Sequence, residues 1–301
     1  MIAAAIDIGT NTTRLLIRDG DRTLVRTEVI TRLGEGVDRT RRLQEAAISR
    51  TIDTLRDYRA LLDKHGVDRV RAVATSASRD ATNADDFLGP AEAVIGVRPE
   101  IIAGSEEGGL AFTGATSWLP ASDGPFCVID IGGGSTEFIV GTETVVGLVS
   151  VDVGSVRLTE SQLKSDPPRP EELTNALAIV DAHLDDVLRE IPAVEDARTL
   201  VGVAGTITTV AAIEIGLIDY ERERVHGFRL TRDAAEDVFR TLATEPLAAR
   251  VHNPGLNPAR ADVIVGGCCI LVAILRRLHA DHITVSDADL LDGIVAEITA
   301  R

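Results

Sequence analysis

The chain has 301 residues, more than one hydrophobic core usually organises, so two domains of about 150 residues each are expected. Hydrophobic residues make up 45% of the sequence and aromatic residues 3%, an aliphatic composition that excludes a disordered chain. Asp and Glu total 47 against 31 Lys and Arg, and the resulting net charge of −16 argues against a general nucleic-acid-binding surface.

Strands and helices alternate through the first part of the sequence. β-branched and aliphatic runs predict strands, and apolar residues at helical spacing predict helices. In chain order the predicted elements are strands at 2–7, 14–18 and 23–30, a helix at 44–62, a strand at 70–75, a helix at 84–94, a short strand at 101–102 and a helix beyond 106.

The same order restarts after residues 117–125, a segment with Pro, Gly, Ser and Asp that is typical of a linker. The predicted elements are strands at 126–131, 137–140 and 145–153, a helix from 170 to 187, a strand at 201–206, a buried helix at 263–278, a last strand at 283–287 and a closing helix at 290–300. We therefore predict domains at residues 1–121 and 122–301, with the last helix, about 288–301, packing back on the first domain.

One loop motif occurs twice. The segment Ala5-Ile-Asp-Ile-Gly-Thr-Asn-Thr-Thr-Arg14 returns as Ile129-Asp-Ile-Gly-Gly-Gly-Ser-Thr-Glu137, which aligns Asp7 with Asp130. The second loop leads into another strand, whereas the dinucleotide-binding motif opens a helix. We predict hairpin loops whose backbone N–H groups form an anion nest, with an ordinary tight hairpin as the alternative for either loop alone.

The two copies differ in charge, because Arg14 aligns with Glu137. Asp130 and Glu137 flank the second loop and are candidate Mg²⁺ ligands, since this cation prefers oxygen ligands; Asp7 is a third candidate. Surface charge or a hydrogen-bonded turn remains the alternative for each of these carboxylates.

The three cysteines, Cys127, Cys268 and Cys269, lie in apolar segments without zinc-site spacing, which predicts packing residues in a reducing cytoplasm. Met1 leads directly into an aliphatic strand without a basic signal-peptide region. These features predict a cytoplasmic protein that is neither exported nor membrane-spanning.

Further segments, taken with the two loops, resemble one family. They are Arg32-Leu-Gly-Glu-Gly36, Ala74-Thr-Ser-Ala-Ser-Arg79 with Asn83, Ala103-Gly-Ser-Glu-Glu107, Gly205-Thr-Ile-Thr-Thr209 and Arg260-Ala-Asp-Val-Ile264. Their order and spacing resemble the exopolyphosphatase and guanosine pentaphosphate phosphohydrolase family, in particular its short, two-domain actinobacterial-type members. The resemblance implies an α/β fold of two ribonuclease H-like domains, as in actin and the sugar kinases, with a cleft between the domains.

The resemblance implies that Glu107 is the catalytic carboxylate, with Glu106 beside it, and that Arg79 clamps phosphate. A carboxylate suits this role if it orients and deprotonates a water in line with the terminal phosphorus, and a guanidinium binds phosphate oxygens bidentately. Without the resemblance, the Glu pair would be attributed to the helix dipole. The implied phosphate-binding residues are Gly9, Thr10, Asn11, Thr12, Arg79, Gly132, Gly133, Gly134, Ser135, Gly205 and Thr206.

Other arginines are weaker candidates for phosphate contacts. Arg14, Arg32 and Arg260 each have a salt-bridged surface residue as the alternative. Arg39, Arg41 and Arg42 are candidates for the lining of a channel for a long anionic chain, with a solvated loop as the alternative.

The expected function is Mg²⁺-dependent hydrolysis of the terminal phosphoanhydride of inorganic polyphosphate, with Mn²⁺ or a monovalent cation such as K⁺ as further cofactors to consider. Guanosine pentaphosphate, which presents the same reacting group at its 5′ end, is the alternative substrate. The family suggests a homodimer, and no nucleic-acid or membrane partner is expected. The rival hypotheses are an ATP-dependent small-molecule kinase and a non-catalytic actin-like assembly or polyphosphate-sensing module.

Overall fold

A computed structural model describes residues 1–300. Its strands are β1 Ile2–Ile8, β2 Thr12–Asp19, β3 Arg22–Ile30, β4 Arg69–Ala74, β5 Glu100–Ile101, β6 Phe126–Ile131, β7 Thr136–Gly141, β8 Val145–Val151, β9 Thr199–Val203, β10 Arg229–Thr231 and β11 His282–Val285. Its helices are α1 Val37–Thr40, α2 Glu45–His65, α3 Ser76–Asp80, α4 Asp85–Ile95, α5 Gly104–Thr116, α6 Ser155–Gln162, α7 Pro170–Glu190, α8 Ala204–Ile215, α9 Arg222–Val225, α10 Arg232–Thr244, α11 Leu247–Arg250, α12 Ile264–Arg277 and α13 Leu290–Ala300. None of the helices described over this range is long and apolar enough to cross a membrane.

The chain forms two compact units. The first unit comprises residues Met1–Gly114 and the C-terminal segment from Leu290, and the second comprises Ala115–Asp289. Helix α13 belongs to the first unit, where it packs against β1 and β2. The segment at 117–125, which contains a short 3₁₀ helix at Ala121–Asp123, belongs to the second unit.

The first unit is built on a five-stranded sheet in the order β3-β2-β1-β4-β5. Strands β1, β2 and β3 are antiparallel, and β4 and β5 run parallel to β1. Side chains alternate along β1, so Ile6 and Ile8 pack in one core with α2 and α4, while Ala3 and Ala5 pack in a second core with α5 and α13. Because both faces of the sheet are buried at β1, the sequence of this strand is almost continuously aliphatic.

The second unit repeats this arrangement in a six-stranded sheet, β10-β11-β9-β6-β7-β8. The part β8-β7-β6-β9 matches β3-β2-β1-β4 in order and direction, since β6, β7 and β8 are antiparallel and β9 is parallel to β6. Helix α12 is buried along most of its length and packs against α6, α7 and α10. The predicted α/β fold of two ribonuclease H-like domains is confirmed.

Several boundaries differ from those predicted; for example, residues 204–206, predicted as strand, form the start of helix α8. Helix α5 begins at Gly104, earlier than predicted, so both Glu106 and Glu107 lie inside its first turn. Strand β8 ends at Val151, two residues early, because Val153 and Gly154 turn away from the sheet toward the β6–β7 loop.

Asp292 attaches α13 to the sheet through two arginines. Its Oδ1 accepts a hydrogen bond from Arg18 Nη2 at 2.7 Å, and its Oδ2 accepts one from Arg26. The carboxylate is buried, and removing one partner of a buried ion pair is strongly destabilising. We expect Asp292→Asn to lower the free energy of unfolding by about 2–4 kcal/mol, seen as a lower melting temperature in calorimetry.

The matched control is Asp53→Asn. Asp53 pairs with Arg56 one helical turn away, but both side chains are more than half exposed, and such surface pairs contribute about 0–1 kcal/mol. Equal melting temperatures for the two variants would contradict a stabilising role for the Asp292 cluster.

Candidate phosphate-binding site

The predicted site residues of the first unit follow three neighbouring strands. The loop at residues 9–11 follows β1, Arg79 lies in α3 directly after β4, and Glu107 lies in α5 after β5. These strands are adjacent and parallel. The carboxyl ends of parallel strands share one edge of a sheet, which is where open α/β sheets bind ligands. The fold therefore brings the three groups to one edge.

The β1–β2 loop is closed by a hydrogen bond from Gly9 N–H to Thr12 O at 3.0 Å. Thr10 Oγ1 lies 2.7 Å from Ser76 Oγ, which ties the loop to the segment after β4. The Asn11 side chain is buried, and its Nδ2 finds no hydrogen-bond acceptor within residues 1–300. A buried donor without an acceptor costs about 1–3 kcal/mol, so this amide favours a ligand that supplies an oxygen.

Arg79 and Glu107 contact each other at this edge. Arg79 Nη1 lies 3.4 Å from Glu107 Oε2 and also donates to the Ile102 carbonyl at 2.9 Å. Glu107 is buried in the first turn of α5, where the helix dipole favours a carboxylate. The pair combines a group that can accept a proton with one that can bind phosphate oxygens.

Asp7 is paired within its own hairpin. It lies opposite Arg14 in the β1–β2 register, and its Oδ2 accepts hydrogen bonds from Arg14 Nε at 2.8 Å and Arg14 Nη2 at 2.5 Å. Arg14 thereby neutralises the Asp7 carboxylate, so Asp7 is less suited to a metal than the carboxylates of the second loop. The same pairing makes Arg14 a salt-bridged residue, the alternative given above for this arginine.

The β6–β7 loop has the backbone geometry of the β1–β2 loop, and the predicted hairpin is confirmed. Gly132 N–H donates to Ser135 O at 3.0 Å, as Gly9 does to Thr12. A Cβ added to either glycine would lie 3.1 Å from the accepting carbonyl oxygen, so a side chain at this point would require a small shift of the loop backbone.

Asp130 and Glu137 lie directly opposite each other on β6 and β7. Directly opposed residues point to the same face of a sheet, with Cβ atoms about 4.5–5.5 Å apart. Both carboxylates are buried, and Ser150 Oγ donates to Glu137 Oε1 at 2.7 Å. Two buried negative charges in this position repel each other, and a divalent cation would relieve the repulsion.

Gly205 and Thr206 lie in the first turn of α8, which follows β9 at the same edge as the β6–β7 loop. Ala204 has φ 68°, a left-handed conformation that is uncommon outside glycine. A Cβ added to Gly205 would collide with the guanidinium of Arg260, which covers the start of the helix. Helix N-termini attract anions, so the position suits the predicted phosphate contact.

Each loop is supported by backbone hydrogen bonds from a further segment, a role that the sequence analysis did not predict. In the first unit this support segment is residues 31–34: the N–H groups of Thr31 and Arg32 donate to Asn11 O, and Gly34 N–H donates to Thr10 O. These hydrogen bonds occupy the carbonyl oxygens of Thr10 and Asn11. The carbonyls therefore do not repel an anion that binds the N–H groups of the same loop.

The second support segment is residues 154–157. The N–H groups of Ser155 and Val156 donate to the carbonyls of Gly132 and Gly133 at 2.9 and 2.8 Å. Arg157 Nε donates to Gly134 O at 2.8 Å. The signal that would have revealed both segments is a glycine just after the third strand of each repeat, Gly34 after β3 and Gly154 after β8.

Arg39, Arg41 and Arg42 lie on the surface of the first unit in an exposed segment. Arg41 is 3.8 Å from Asp80, and Arg42 is 3.9 Å from Asp86. These are the distant, solvated ion pairs of a surface loop.

The three cysteines lie in the core. All three are buried and free, and burial raises the pKa of Cys127 and of Cys269 to about 12. A thiol with such a pKa stays protonated at neutral pH, and the thiolate is the nucleophilic form. The expected packing role fits these positions.

Two ribonuclease H-like units, each with an acidic, glycine-containing loop at the ligand-binding edge of its sheet, have the architecture of a phosphate-handling protein. The model of the Ppx/GppA phosphatase family matches residues 17–301. The chain belongs to this family.

Known proteins cover the chain along its whole length. It is 41% identical over 312 residues to Exopolyphosphatase 2 of Mycobacterium tuberculosis strain H37Rv, with 98% of each chain covered. It is 32% identical over 297 residues to the guanosine-5′-triphosphate,3′-diphosphate pyrophosphatase of Aeromonas salmonicida, covering 97% of this chain and 58% of the relative. The crystal structure of an exopolyphosphatase-like protein superimposes with a TM-score of 0.96 at 38% identity, covering 100% of this chain and 99% of the other.

Proposed function

We propose that the protein is an exopolyphosphatase, which releases the terminal phosphate of inorganic polyphosphate by attack of water on the last phosphorus. The observation that carries the proposal is the placement of Arg79, Glu107 and the β1–β2 loop at one sheet edge, with Arg79 3.4 Å from Glu107. The similarity to the mycobacterial Exopolyphosphatase 2 over the full length of both chains favours this substrate.

Glu107 is the general base in this proposal. Its carboxylate accepts a proton from the attacking water, and the bond that breaks joins the terminal phosphorus to the bridging oxygen, which leaves with the shortened chain. Arg79 binds oxygens of the terminal phosphate, and Asn11 donates from its buried amide. A local cation is needed here because the chain carries a net charge of −16, which opposes the approach of a polyanion.

A divalent cation, Mg²⁺ in the first instance, is proposed at Asp130 and Glu137. No group of three or more His, Cys, Asp or Glu side chains has metal-binding spacing in the part of the chain that the structure describes. Mg²⁺ is often held by only one or two carboxylates, with water and substrate phosphates completing its shell, so two buried carboxylates on one sheet face fit it. When bound, it would neutralise phosphate oxygens of the substrate.

The metal proposal predicts a specific phenotype for Glu137→Gln. The substitution keeps shape but removes one anionic ligand, so the Mg²⁺ concentration for half-maximal phosphate release should rise about tenfold or more. Ser150→Ala, which removes only the hydrogen bond to Glu137, is the comparison and should shift the midpoint by less. A Mg²⁺ titration of phosphate release measures both, and an unchanged midpoint in Glu137→Gln would remove Glu137 from the metal site.

The activity is tested by a side-by-side phosphate-release assay on short polyphosphate, long polyphosphate and guanosine pentaphosphate, each with and without Mg²⁺. We expect release from polyphosphate with no acceptor present. Faster release from guanosine pentaphosphate would favour that substrate, for which the Aeromonas relative is named. Phosphate transfer from ATP to an acceptor, without release from polyphosphate, would instead indicate a kinase.

The remaining part of the proposal concerns the cellular compartment and the oligomeric state of the protein. Three buried, free cysteines suit a reducing compartment, so we place the enzyme in the cytoplasm. A homodimer is proposed from the family resemblance, and analytical ultracentrifugation over a tenfold range of concentration tests it.

A further inference from the structure

Arg71 binds three carboxylates from three different elements of the first unit. Its Nη2 donates to Glu106 Oε1 of α5 at 2.5 Å and to Glu100 Oε2 of β5 at 2.9 Å, and its Nη1 donates to Glu297 Oε2 of α13 at 2.7 Å. The Arg71 side chain is only 16% exposed. Ion pairs at a mostly buried guanidinium are screened less by salt than surface pairs, so this network can hold its elements in fixed positions.

The two helices that Arg71 joins are also in direct contact. Leu110 of α5 packs in one apolar cluster with Leu291, Ile294 and Val295 of α13. Gly293 lies so close to Leu110 that an added Cβ would collide with the Leu110 carbonyl oxygen. Helix α13 is therefore a close packing support for α5, and Arg71 attaches the first turn of α5 to it.

The consecutive carboxylates at the start of α5 point to different arginines. Glu106 binds Arg71, whereas Glu107 lies beside Arg79. Successive residues on a helix are about 100° apart around its axis, so fixing Glu106 on one side fixes the direction of Glu107 on the other. We propose that Arg71 is a positioning residue for Glu107, acting by attaching Glu106 and the first turn of α5 to the C-terminal helix.

The three ion pairs of Arg71 differ in how much each is expected to contribute to the position of Glu107. A cavity of about 390 Å³ adjoins it, lined by Arg69, Val70, Arg71, Glu100, Glu297 and Ile298. The Glu100 side chain is 56% exposed and does not touch α5, so water can replace it. The ion pairs with Glu106 and Glu297 link α5 to α13 and should carry the effect.

The inference rests on the proposed function, and kinetics on polyphosphate test it with four variants. Arg71→Met and Glu106→Gln should each lower kcat about tenfold with KM within twofold of wild type, because a displaced base slows the chemical step more than substrate binding. Glu297→Gln should lower kcat about threefold. Glu100→Gln is the matched control and should leave kcat and KM unchanged.

The double variant Arg71→Met with Glu106→Gln separates positioning from a general loss of stability. If both residues act through one contact, the double variant should be no slower than Arg71→Met alone, since effects of residues in one network do not add. Additive losses, a kcat for Arg71→Met within twofold of wild type, or a Glu100→Gln variant as slow as Glu106→Gln would each overturn the proposal.

Hydrogen exchange gives a readout that does not depend on activity. In Arg71→Met the amides of residues 104–110 should exchange at least tenfold faster. Those of α2, which packs with Ala72 on the opposite face of the sheet from Arg71, should be unchanged. A wild-type chain that releases no phosphate would refute the proposed function, whereas unchanged exchange at residues 104–110 would refute the positioning role alone.

Discussion

Glu107→Gln is expected to lower kcat for phosphate release from polyphosphate about 10²- to 10⁴-fold, the contribution usual for a general base. Glutamine keeps the size of the side chain but cannot accept the proton of the attacking water. Binding should persist or tighten, because the substitution removes a negative charge beside the substrate and frees Arg79, now 3.4 Å from the carboxylate, to bind phosphate. Steady-state kinetics and calorimetric titration with short polyphosphate measure the two effects.

The neighbouring residue supplies the comparison for this variant. Glu106→Gln removes the same charge one residue earlier in the helix, yet it should cost only about tenfold because Glu106 acts through Arg71. Glu92→Gln, at an exposed position of α4 beside Arg98, should have no effect. If Glu107→Gln kept more than a tenth of the wild-type kcat, another residue would have to activate the water.

The parts of the site that the sequence predicted are those encoded within a few consecutive residues. The Asp-x-Gly pattern at the end of β1 returns at the end of β6, and both copies form hairpin loops closed by the same hydrogen bond. The strand and helix patterns on either side of these loops are likewise contained within short stretches of sequence. Helix α13 was predicted over residues 290–300, the range in which it occurs.

Several helices were missed, among them α6, α8 and α10, and the signal for α10 is local. Helix α10 presents Ala235, Val238, Phe239 and Leu242 to the core at helical spacing. Thr231 caps it by accepting a hydrogen bond from Ala234 N–H at 3.2 Å, a start signal that can be recognised in sequence.

Other features could not be predicted because their partners are distant in the chain. Arg71 and Glu297 are separated by 226 residues, and nothing near either residue indicates an ion pair. Arg157 lies near the start of α6, and its sequence context does not indicate a role. Its role becomes visible only in its hydrogen bond to the Gly134 carbonyl. Such contacts depend on how the sheet and helices pack, and packing is a property of the whole unit.

Gly154→Ala is expected to displace the β6–β7 loop and to lower activity strongly, although it changes no charge. Its φ of −140° is accessible to alanine, so backbone strain plays no part. The added Cβ would lie 2.5 Å from the carbonyl carbon and oxygen of Gly133 and 2.6 Å from Gly134 N. Backbone cannot rotate aside as a side chain can, so the β6–β7 loop must shift by about 1 Å, and displacements of this size can cost about 10²-fold in rate. We expect kcat/KM for polyphosphate to fall by that factor.

Gly89→Ala is the control for the glycine substitution itself. Apart from the adjacent residues, no atom lies within 4 Å of a Cβ at Gly89 in α4, so this variant should have unchanged kinetics. No gain in stability is expected, because Pro90 follows and a proline disfavours the helical conformation of a preceding residue that carries a Cβ. Gly34→Ala tests the first loop, where the added Cβ meets Thr10 Cγ2 and lies 3.1 Å from Ala77 Cβ and 3.2 Å from Thr10 Cβ, with no backbone atom among its nearest contacts. Because a side chain can adjust, its loss in kcat/KM should be smaller than that of Gly154→Ala. A larger loss in kcat/KM for Gly154→Ala than for Gly34→Ala would support the role of the support segments in positioning the loops. A Gly154→Ala enzyme with kcat/KM within threefold of wild type would show that the β6–β7 loop adjusts freely and that residues 154–157 do not determine its position.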